Sequence, residues 1–324
     1  MERVVYWNGK FIPDSEARVS IYDCALMFGD MVFEMTRSFN KKQFMLREHL
    51  ERLYTSIKYV RIPINMTIDE MEQAVYDTIE KNKHCFSEDD EHRIMINVTR
   101  GLIPIYENRV GVEPGANVII SNYPLRWTIE SLGHLYKSGI NLVVVSQRAI
   151  PAHLLEPKIK NRSRIHYQMA NIEASQFKGK DNWALLLDPD GFVTEGTGDN
   201  VFIVKDGVVI TPEGRNILRG ISRQYIFEIC QQLGIECIEK NIEVYDVMTA
   251  DECFATATPF CILPVMRLNG QEIGNGKYGK VTKLLLDTWS ENVGIDIEKQ
   301  TKYFSNLANK DKVKSPYQLE YDVE

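Results

Sequence analysis

Along the first 125 residues, apolar positions recur with period two in some stretches and with a helical period in others. Alternation is typical of strands that bury one face, whereas apolar residues three and four apart are typical of helices. The dipeptide Asn8-Gly9, between two short apolar runs, indicates a hairpin turn. These patterns predict a hairpin at 6–12, strands at 31–39, 93–99 and 116–121, and helices at 47–60 and 68–81. We therefore expect residues 1–125 to form a small α+β domain.

The pattern changes after residue 125. Residues 126–138 have mixed polarity and no clear period, which predicts a connection between two domains. Beyond it, apolar strands and amphipathic helices are separated by turn signals such as Asp188-Pro189-Asp190-Gly191. The patterns predict strands at 140–145, 183–187, 201–204, 208–211, 236–238 and 252–255, and helices at 162–177, 222–233 and 277–292. We expect a larger domain over 139–300 and a polar C-terminal tail over 301–324.

Length and charge narrow the class of protein. A chain of 324 residues is longer than one compact core usually organises, which agrees with two domains. The formal net charge of -7 disfavours nucleic acid or an anionic membrane as a partner. The first residues lack a secretory signal, and no apolar run reaches the ~18 residues that cross a bilayer. Because the six cysteines and six histidines are dispersed without metal-ligand spacing, we expect a metal-free, cytoplasmic protein with small-molecule partners.

A basic loop contains the first candidate for chemistry. Lys160 lies between Lys158 and Arg162, and Arg164 follows. A lysine amine becomes a nucleophile toward an aldehyde when neighbouring like charges disfavour its protonated form. Pyridoxal 5'-phosphate (PLP) attaches to enzymes through such a lysine. A solvated basic patch would explain the same residues, so the loop alone does not decide between the two interpretations.

Three further segments offer groups that can bind the pyridine nitrogen and the phosphate of PLP. Glu195, between two predicted strands, can keep a pyridine nitrogen protonated, although a carboxylate there can also be a turn residue. Gly220 and Ser222 open a predicted helix, where N–H groups and a hydroxyl can hold a phosphate, or where the serine can be an ordinary N-cap. Thr258 offers a second hydroxyl after a predicted strand. Together these segments favour a PLP site.

Six short segments, in order along the chain, are similar to segments of the class IV aminotransferases, the fold-type IV group of PLP enzymes. This family includes branched-chain aminotransferase, D-amino acid aminotransferase and aminodeoxychorismate lyase. The resemblance extends from residue 5 to about residue 290. It rests on Phe28-Gly29-Asp30-x-Val32-Phe33-Glu34, Glu48-His49-Leu50-x-Arg52-Leu53, Ile159-Lys160, Thr194-Glu195-Gly196-x-x-x-Asn200-Val201-Phe202, Gly220-Ile221-Ser222-Arg223 and Pro264-Val265.

The resemblance implies an α+β, two-domain fold-type IV enzyme, with a small α+β domain, a larger pseudo-barrel domain that binds PLP, and assembly as a homodimer. It implies that Lys160 is the catalytic Schiff-base lysine and that Glu195 is the partner of the pyridine nitrogen. The phosphate ligands that it implies are Arg52, Ile221, Ser222 and Thr258.

The residues expected around the substrate depart from the family pattern. The Tyr-x-Arg of branched-chain enzymes is Arg93-Ile94-Met95 here, and the Arg-x-His of D-amino acid enzymes is Ile105-Tyr106-Glu107. Pro259 lacks the backbone N–H that branched-chain enzymes use just after the threonine. The tyrosine that relatives place five residues past the lysine is Ile165, and Tyr167 is a possible substitute. The carboxylate-binding pattern of neither subfamily is complete.

One strand offers replacements for these residues. Phe33 and Met35, together with Phe28, are expected to line a hydrophobic pocket, although core packing would explain them equally well. Arg37 shares a strand face with Phe33 and Met35, because side chains at i and i+2 point the same way. We predict that Arg37 contacts a substrate carboxylate and rank Arg93 second; a structural ion pair is the alternative for Arg37.

The expected reaction is transfer of an amino group between a branched-chain or other hydrophobic amino acid and a 2-oxo acid such as 2-oxoglutarate. Two alternative reactions remain open, those of a D-amino acid aminotransferase and of aminodeoxychorismate lyase, which eliminates pyruvate. A third alternative is a PLP-binding regulatory protein without turnover. The presence of both Lys160 and Glu195 argues against it.

Overall fold

The computed structural model describes residues 2–308, which divide into two compact units. The first unit contains the chain up to Leu125 together with Ile159–Arg164, and the second contains Arg126–Lys158 and the chain from Ile165 onward. Lys160 therefore belongs to the first unit, although its position in the sequence falls within the larger domain predicted at 139–300. Of the tail predicted at 301–324, residues 309–324 lie outside the described residues.

The first unit contains an antiparallel sheet of six strands in the order β2-β1-β6-β5-β3-β4. Its strands are β1 Val4–Trp7, β2 Lys10–Pro13, β3 Met31–Phe39, β4 Lys42–Gln43, β5 His92–Thr99 and β6 Asn117–Pro124. Its helices are α1 Cys24–Phe28, α2 Leu46–Val60 and α3 Ile68–Asn82. Asn8 and Gly9 form the predicted hairpin turn with φ of 47° and 86°, and Thr67 and Glu70 form a capping box at the start of α3.

The two faces of this sheet have different environments because strand side chains alternate. One face packs against α2 and α3, and its buried cluster includes Leu50, Val75 and Ile94. Burying side chains of this size stabilises the fold by roughly 1.5–3 kcal/mol each. On the opposite face, Met35 of β3 pairs with Met95 of β5, and both are half-buried. The same face carries Phe33, Arg37 and Arg93, which are described below.

The second unit contains nine strands, six of which form a closed barrel in the order β10-β13-β14-β7-β8-β9. The strands are β7 Ile140–Val144, β8 Asn182–Leu187, β9 Val193–Gly196, β10 Asn200–Lys205, β11 Val208–Thr211, β12 Cys237–Glu239, β13 Glu252–Ala257, β14 Cys261–Leu268 and β15 Gln271–Glu272. The barrel closes where Glu195 of β9 pairs with Asn200 of β10. Such closure leaves no exposed edge along the ring, and it confirms the pseudo-barrel expectation.

Seven helices accompany the barrel strands in the described part of the second unit. They are α4 Arg126–Ile129, α5 Leu135–Ser138, α6 Ile165–Ser175, α7 Ile221–Leu233, α8 Val244–Met248, α9 Lys280–Val293 and α10 Ile297–Leu307. Two short helices thus occupy the predicted connection at 126–138, and α10 continues past residue 301. Among residues 2–308, no helix combines the length and the hydropathy that crossing a membrane requires.

Candidate active site

Lys160 lies on a segment that is bonded to the start of β3. The Phe33 amide donates to the Lys160 carbonyl at 2.9 Å, and the Arg162 amide donates to the Met31 carbonyl at 3.2 Å. Asn161 forms an isolated bridge with Val32. Since these backbone groups bond to a strand, residues 162–164 are not helical. The helix predicted to begin at Arg162 therefore begins at Ile165.

Three cationic side chains of this segment are close to one aromatic ring. The Lys160 Nζ lies 4.9 Å from the Phe33 ring centroid, and the Cζ atoms of Arg162 and Arg164 lie at 3.5 Å and 5.7 Å. Phe33 is fully buried, so the ring is a fixed surface for these cations. Lys160 is therefore one of three cations gathered around a single buried ring.

Lys158, two residues earlier in the same basic loop, has a different environment in the second unit. It forms an ion pair with Glu156, and its Nζ donates to the Arg215 carbonyl at 3.2 Å. An amine that is bound to a carboxylate and a carbonyl is not free to attack an aldehyde. The structure thus separates the two lysines, and Lys160 is the better candidate for covalent chemistry.

Arg52 is oriented by a buried carboxylate to which the sequence alone assigns no role. Its Nε and Nη2 donate to Glu34 Oε1 and Oε2 at 2.6 Å and 2.9 Å. The His49 Nδ1 lies 2.7 Å from Glu34 Oε2. Glu34 is fully buried in the middle of β3. The sequence shows it as a charged residue within an apolar strand and as part of the Phe28–Glu34 family segment, without a role. The two-point contact fixes the plane of the Arg52 guanidinium.

In the cluster of Glu34, Arg52 and His49, the neighbouring groups determine which side chains are charged. Burial opposes ionisation of Glu34, but Arg52 and His49 outweigh it, so the pKa of Glu34 is well below its usual range. Burial lowers the pKa of His49, against the opposing effect of Glu34. We therefore describe the cluster as a carboxylate, a guanidinium and a neutral imidazole that donates from Nδ1. Because the negative charge of Glu34 offsets the positive charge of Arg52, the cluster attracts a nearby anion less strongly than an isolated arginine would. In return, the hydrogen bonds to Glu34 fix the position of the Arg52 guanidinium.

Arg37 and Arg93 are opposite each other on β3 and β5. The Arg37 guanidinium lies 3.9 Å from the Phe39 ring centroid and donates from Nε to the Ser38 carbonyl. Arg93 donates from Nη1 to the Thr36 carbonyl at 3.2 Å. Both arginines are buried. Their assignment to a substrate carboxylate stays a prediction.

In the second unit, Glu195 accepts hydrogen bonds from three different elements. The Tyr167 hydroxyl of α6 donates to Oε1 at 2.9 Å. The Asn200 side chain of β10 and the Leu218 amide each donate to Oε2 at 3.0 Å. Three donors stabilise the ionised form of a carboxylate and fix its position. Glu195 is therefore not an ordinary solvated turn residue.

Asp199 is a second buried carboxyl in the turn after Glu195. Burial raises its pKa to about 8, with a further contribution from the charge of Glu195. Its Oδ2 is buried without a hydrogen-bond partner among the described residues. Asp199 cannot be recognised from the sequence, because a Gly-Asp-Asn turn does not reveal that its carboxyl is turned inward.

The N-terminus of α7 has the features of a phosphate cradle. Its N-cap is Gly220, no side chain caps the first turn, and a Cβ on Gly220 would come within 2.2 Å of Asn200 Oδ1. Ile221 and Ser222 are the first two helical residues, so Ser222 is not an N-cap serine. The first N–H groups and the positive helix end are available to an anion.

Thr258 occupies the turn between β13 and β14 and is half-buried. Tyr167, considered for the phenolic oxygen of the cofactor, instead donates to Glu195.

Taken unit by unit, the residues fit PLP: a lysine in a cationic environment and an oriented arginine in the first, and a fixed carboxylate and an uncapped helix start in the second.

Comparisons with known proteins agree with this description. The family model for amino-transferase class IV matches residues 31–268. A putative branched-chain-amino-acid aminotransferase of Methanocaldococcus jannaschii is 37% identical over 290 residues, which cover 89% of this chain and 95% of that protein.

Two crystal structures are also similar. Branched-chain amino acid aminotransferase of Escherichia coli has a TM-score of 0.80 at 28% identity, covering 96% of this chain and 98% of that one. A second branched-chain amino acid aminotransferase, from T.th. and complexed with N-(5'-phosphopyridoxyl)-L-glutamate, has a TM-score of 0.77 at 28% identity, covering 91% and 95%.

The six-stranded unit, the closed barrel and these structural neighbours define a fold-type IV enzyme. The chain belongs to the class IV aminotransferase family and is an aminotransferase. The family, the fold class and the enzyme class expected from the sequence are thereby confirmed.

Proposed function

We propose that the protein uses PLP to transfer an amino group between a branched-chain or other hydrophobic L-amino acid and a 2-oxo acid such as 2-oxoglutarate. The observation that carries the proposal is the fixed Glu195 carboxylate, with its three donors from three elements. The names of the relatives support the donor class, and the phosphopyridoxyl-glutamate complex of one neighbour supports both the cofactor and a dicarboxylate partner.

PLP, when bound, supplies an aldehyde that reacts with amines and a ring that accepts electrons from the substrate. We propose that Lys160 attaches it and moves a proton at the substrate Cα. Glu195 holds the proton on the pyridine nitrogen. Arg52, Ile221, Ser222 and Thr258 bind the phosphate through a guanidinium, helix N–H groups and hydroxyls. The Ser222 and Thr258 hydroxyls have no partner within residues 2–308, which leaves them available for this role.

Phe33, Arg37 and Arg93 are the proposed substrate contacts. The Phe33 ring offers an apolar surface beside Lys160. Arg37 and Arg93 lie side by side on adjacent strands, and two guanidinium groups together favour an anion. We assign them to the distal carboxylate of a dicarboxylate partner such as 2-oxoglutarate. We further propose that the protein works as a homodimer in the cytoplasm.

The test is a substrate panel with purified PLP-loaded protein. L-leucine, L-isoleucine and L-valine with 2-oxoglutarate should form glutamate, and D-leucine should not. Release of p-aminobenzoate from aminodeoxychorismate would identify the lyase instead, and activity with D-leucine alone would identify a D-amino acid enzyme. Protein that binds PLP but turns over none of these substrates would contradict the proposal.

A further inference from the structure

Arg162 is a partly buried cation that no carboxylate of residues 2–308 accompanies. Its Nη2 lies 3.2 Å from Met95 Sδ and 3.3 Å from Asn97 Oδ1, and neither atom carries a formal charge. Its Cζ is 3.5 Å from the Phe33 ring centroid. The charged neighbour with the largest effect is Arg164, which repels it. The guanidinium therefore has weak acceptors and no counter-ion in the described structure.

A guanidinium in this situation has lost part of its hydration without gaining an opposite charge. Burial, and then Arg164, lower the pKa of Arg162 to about 10. It is still protonated near neutral pH. Because burying an unpaired charge costs free energy, such a group favours binding of an anion that restores the missing partner.

Arg162 lies over the face of the first unit's sheet that the helices do not cover. It lies over the face of the sheet that bears Asn97 and Met95, opposite the face that packs on α2 and α3. Met95 and Asn97 are half-buried, unlike the fully buried Ile94 and Ile96 between them. Met95 and Asn97 therefore keep part of their surface exposed next to Arg162, whereas α2 and α3 cover the other face.

Arg162 and Lys160 contact the same aromatic ring. The Lys160 Nζ is 4.9 Å and the Arg162 Cζ is 3.5 Å from the Phe33 centroid, so both cations lie against one buried ring. In an α-amino acid the amine and the carboxylate are attached to one carbon. A substrate whose amino nitrogen reacts beside Lys160 therefore brings its α-carboxylate close to the ring that Arg162 contacts.

We propose that Arg162 binds the α-carboxylate of both the amino acid and the 2-oxo acid. The inference rests on the proposed function and deepens it, because it names the group that recognises every substrate. A planar guanidinium can donate two parallel hydrogen bonds to a carboxylate, in place of its weak contacts with Met95 and Asn97. Arg37 and Arg93 are then left for a distal carboxylate, which a monocarboxylic substrate lacks.

The direct test compares two ligands that differ in charge. PLP-loaded wild-type protein, Arg162→Gln and Arg162→Lys are titrated calorimetrically with 4-methylvalerate and with its uncharged amide. Wild type should prefer the carboxylate by about tenfold or more, as expected for charge-assisted hydrogen bonds. Arg162→Gln should remove that preference without changing amide binding, and Arg162→Lys should restore part of it. Wild-type carboxylate preference in Arg162→Gln would overturn the proposal.

Arg164→Gln is the matched control, because it removes the same charge from the same segment. Its guanidinium is 5.7 Å from the Phe33 ring, so we expect the carboxylate affinity to change by no more than about twofold. An equal loss in both variants would mean that general electrostatics, and not a contact with Arg162, attracts the ligand. That result would also overturn the proposal.

Kinetics separate this proposal from the proposed function. Arg162→Gln should raise KM for L-leucine and for 2-oxoglutarate alike, with the visible spectrum of bound PLP intact. If wild type turns over L-leucine and Arg162→Gln has the same KM values, the Arg162 assignment is wrong and the function stands. If wild type does not turn over L-leucine but binds 4-methylvalerate through Arg162, the carboxylate site stands and the donor is wrong.

Discussion

At the scale of single residues, the account depends on which lysine amine reacts. Lys160 has cationic neighbours and an aromatic ring, whereas Lys158 is held by Glu156. Lys160→Ala should therefore lose the visible absorption of bound PLP and nearly all turnover, and Lys158→Ala should retain both. Borohydride reduction followed by peptide mass spectrometry checks the assignment. Cofactor attached to the peptide at Lys158 would refute it.

Glu195 is predicted to act on the proton-transfer rate more than on cofactor binding. Removing its charge weakens the ring as an electron acceptor, so Glu195→Gln should slow α-proton removal by at least about tenfold. Tyr167→Phe removes one of three hydrogen bonds to this carboxylate and should have a smaller effect in the same direction. Single-turnover rates with α-deuterated and unlabelled L-leucine measure the step. Unchanged rates in Glu195→Gln would mean that Glu195 has a structural role only and does not affect proton transfer.

The raised pKa of Asp199 predicts that the free energy of unfolding depends on pH. Its folded-state pKa is about 8, whereas the ordinary value is 3.8, so the folded protein binds more protons than the unfolded chain between these values. The free energy of unfolding therefore falls as the pH rises through this range. Asp199→Asn lacks this titration. Its stability relative to wild type, measured by urea unfolding at pH 5 and pH 8, should be greater at pH 8. An equal difference at both values would mean that Asp199 titrates normally.

The sequence identified Lys160 and Glu195 because each belongs to a local motif whose chemistry is readable from residue type. Glu34 and Asp199 were not identified, because their roles depend on burial and on partners distant in sequence. Arg162 was noted only as a charge near Lys160. Its importance follows from the Met95 and Asn97 contacts, which the pairing of β3 and β5 creates.

At the scale of elements, two helices are predicted to hold the phosphate. Arg52→Ala on α2 should weaken PLP binding by about tenfold or more, since it removes charge-assisted bonds. Ser222→Ala on α7 removes a neutral donor and should cost a few-fold at most. Arg47→Ala, an exposed charge on α2 that pairs with Asp69, should leave PLP affinity unchanged. Equilibrium dialysis gives the three values. A substrate-affinity defect at saturating PLP, without weaker PLP binding, would contradict the assignment.

Regular elements were predicted well where their periodicity is strong. The helix predicted at 68–81 is Ile68–Asn82, and the one at 222–233 is Ile221–Leu233. Prediction failed where tertiary pairing overrides local preference. The Arg162 amide bonds to Met31 of β3, so residues 162–164 do not join the helix that begins at Ile165. The short helices at 126–138 have no period long enough to detect.

At the scale of the whole molecule, the chemical groups are divided between the two compact units. Lys160 and the Arg52 cluster belong to the first, and the Glu195 network and the α7 N-terminus belong to the second. Sequence order hides this division, because Ile159–Arg164 leaves the second unit to pair with β3. The motif order alone could not show which unit carries Lys160.

The central claim is that this chain is a PLP-dependent aminotransferase for branched-chain amino acids. The most direct measurement is a half-reaction, in which L-leucine is added to the PLP-loaded protein without a 2-oxo acid and the absorption spectrum is followed. We predict that the visible band disappears as stoichiometric pyridoxamine 5'-phosphate and 4-methyl-2-oxopentanoate form, and that 2-oxoglutarate restores the band. A spectrum that does not change with L-leucine, while protein-bound PLP is present, would contradict the claim.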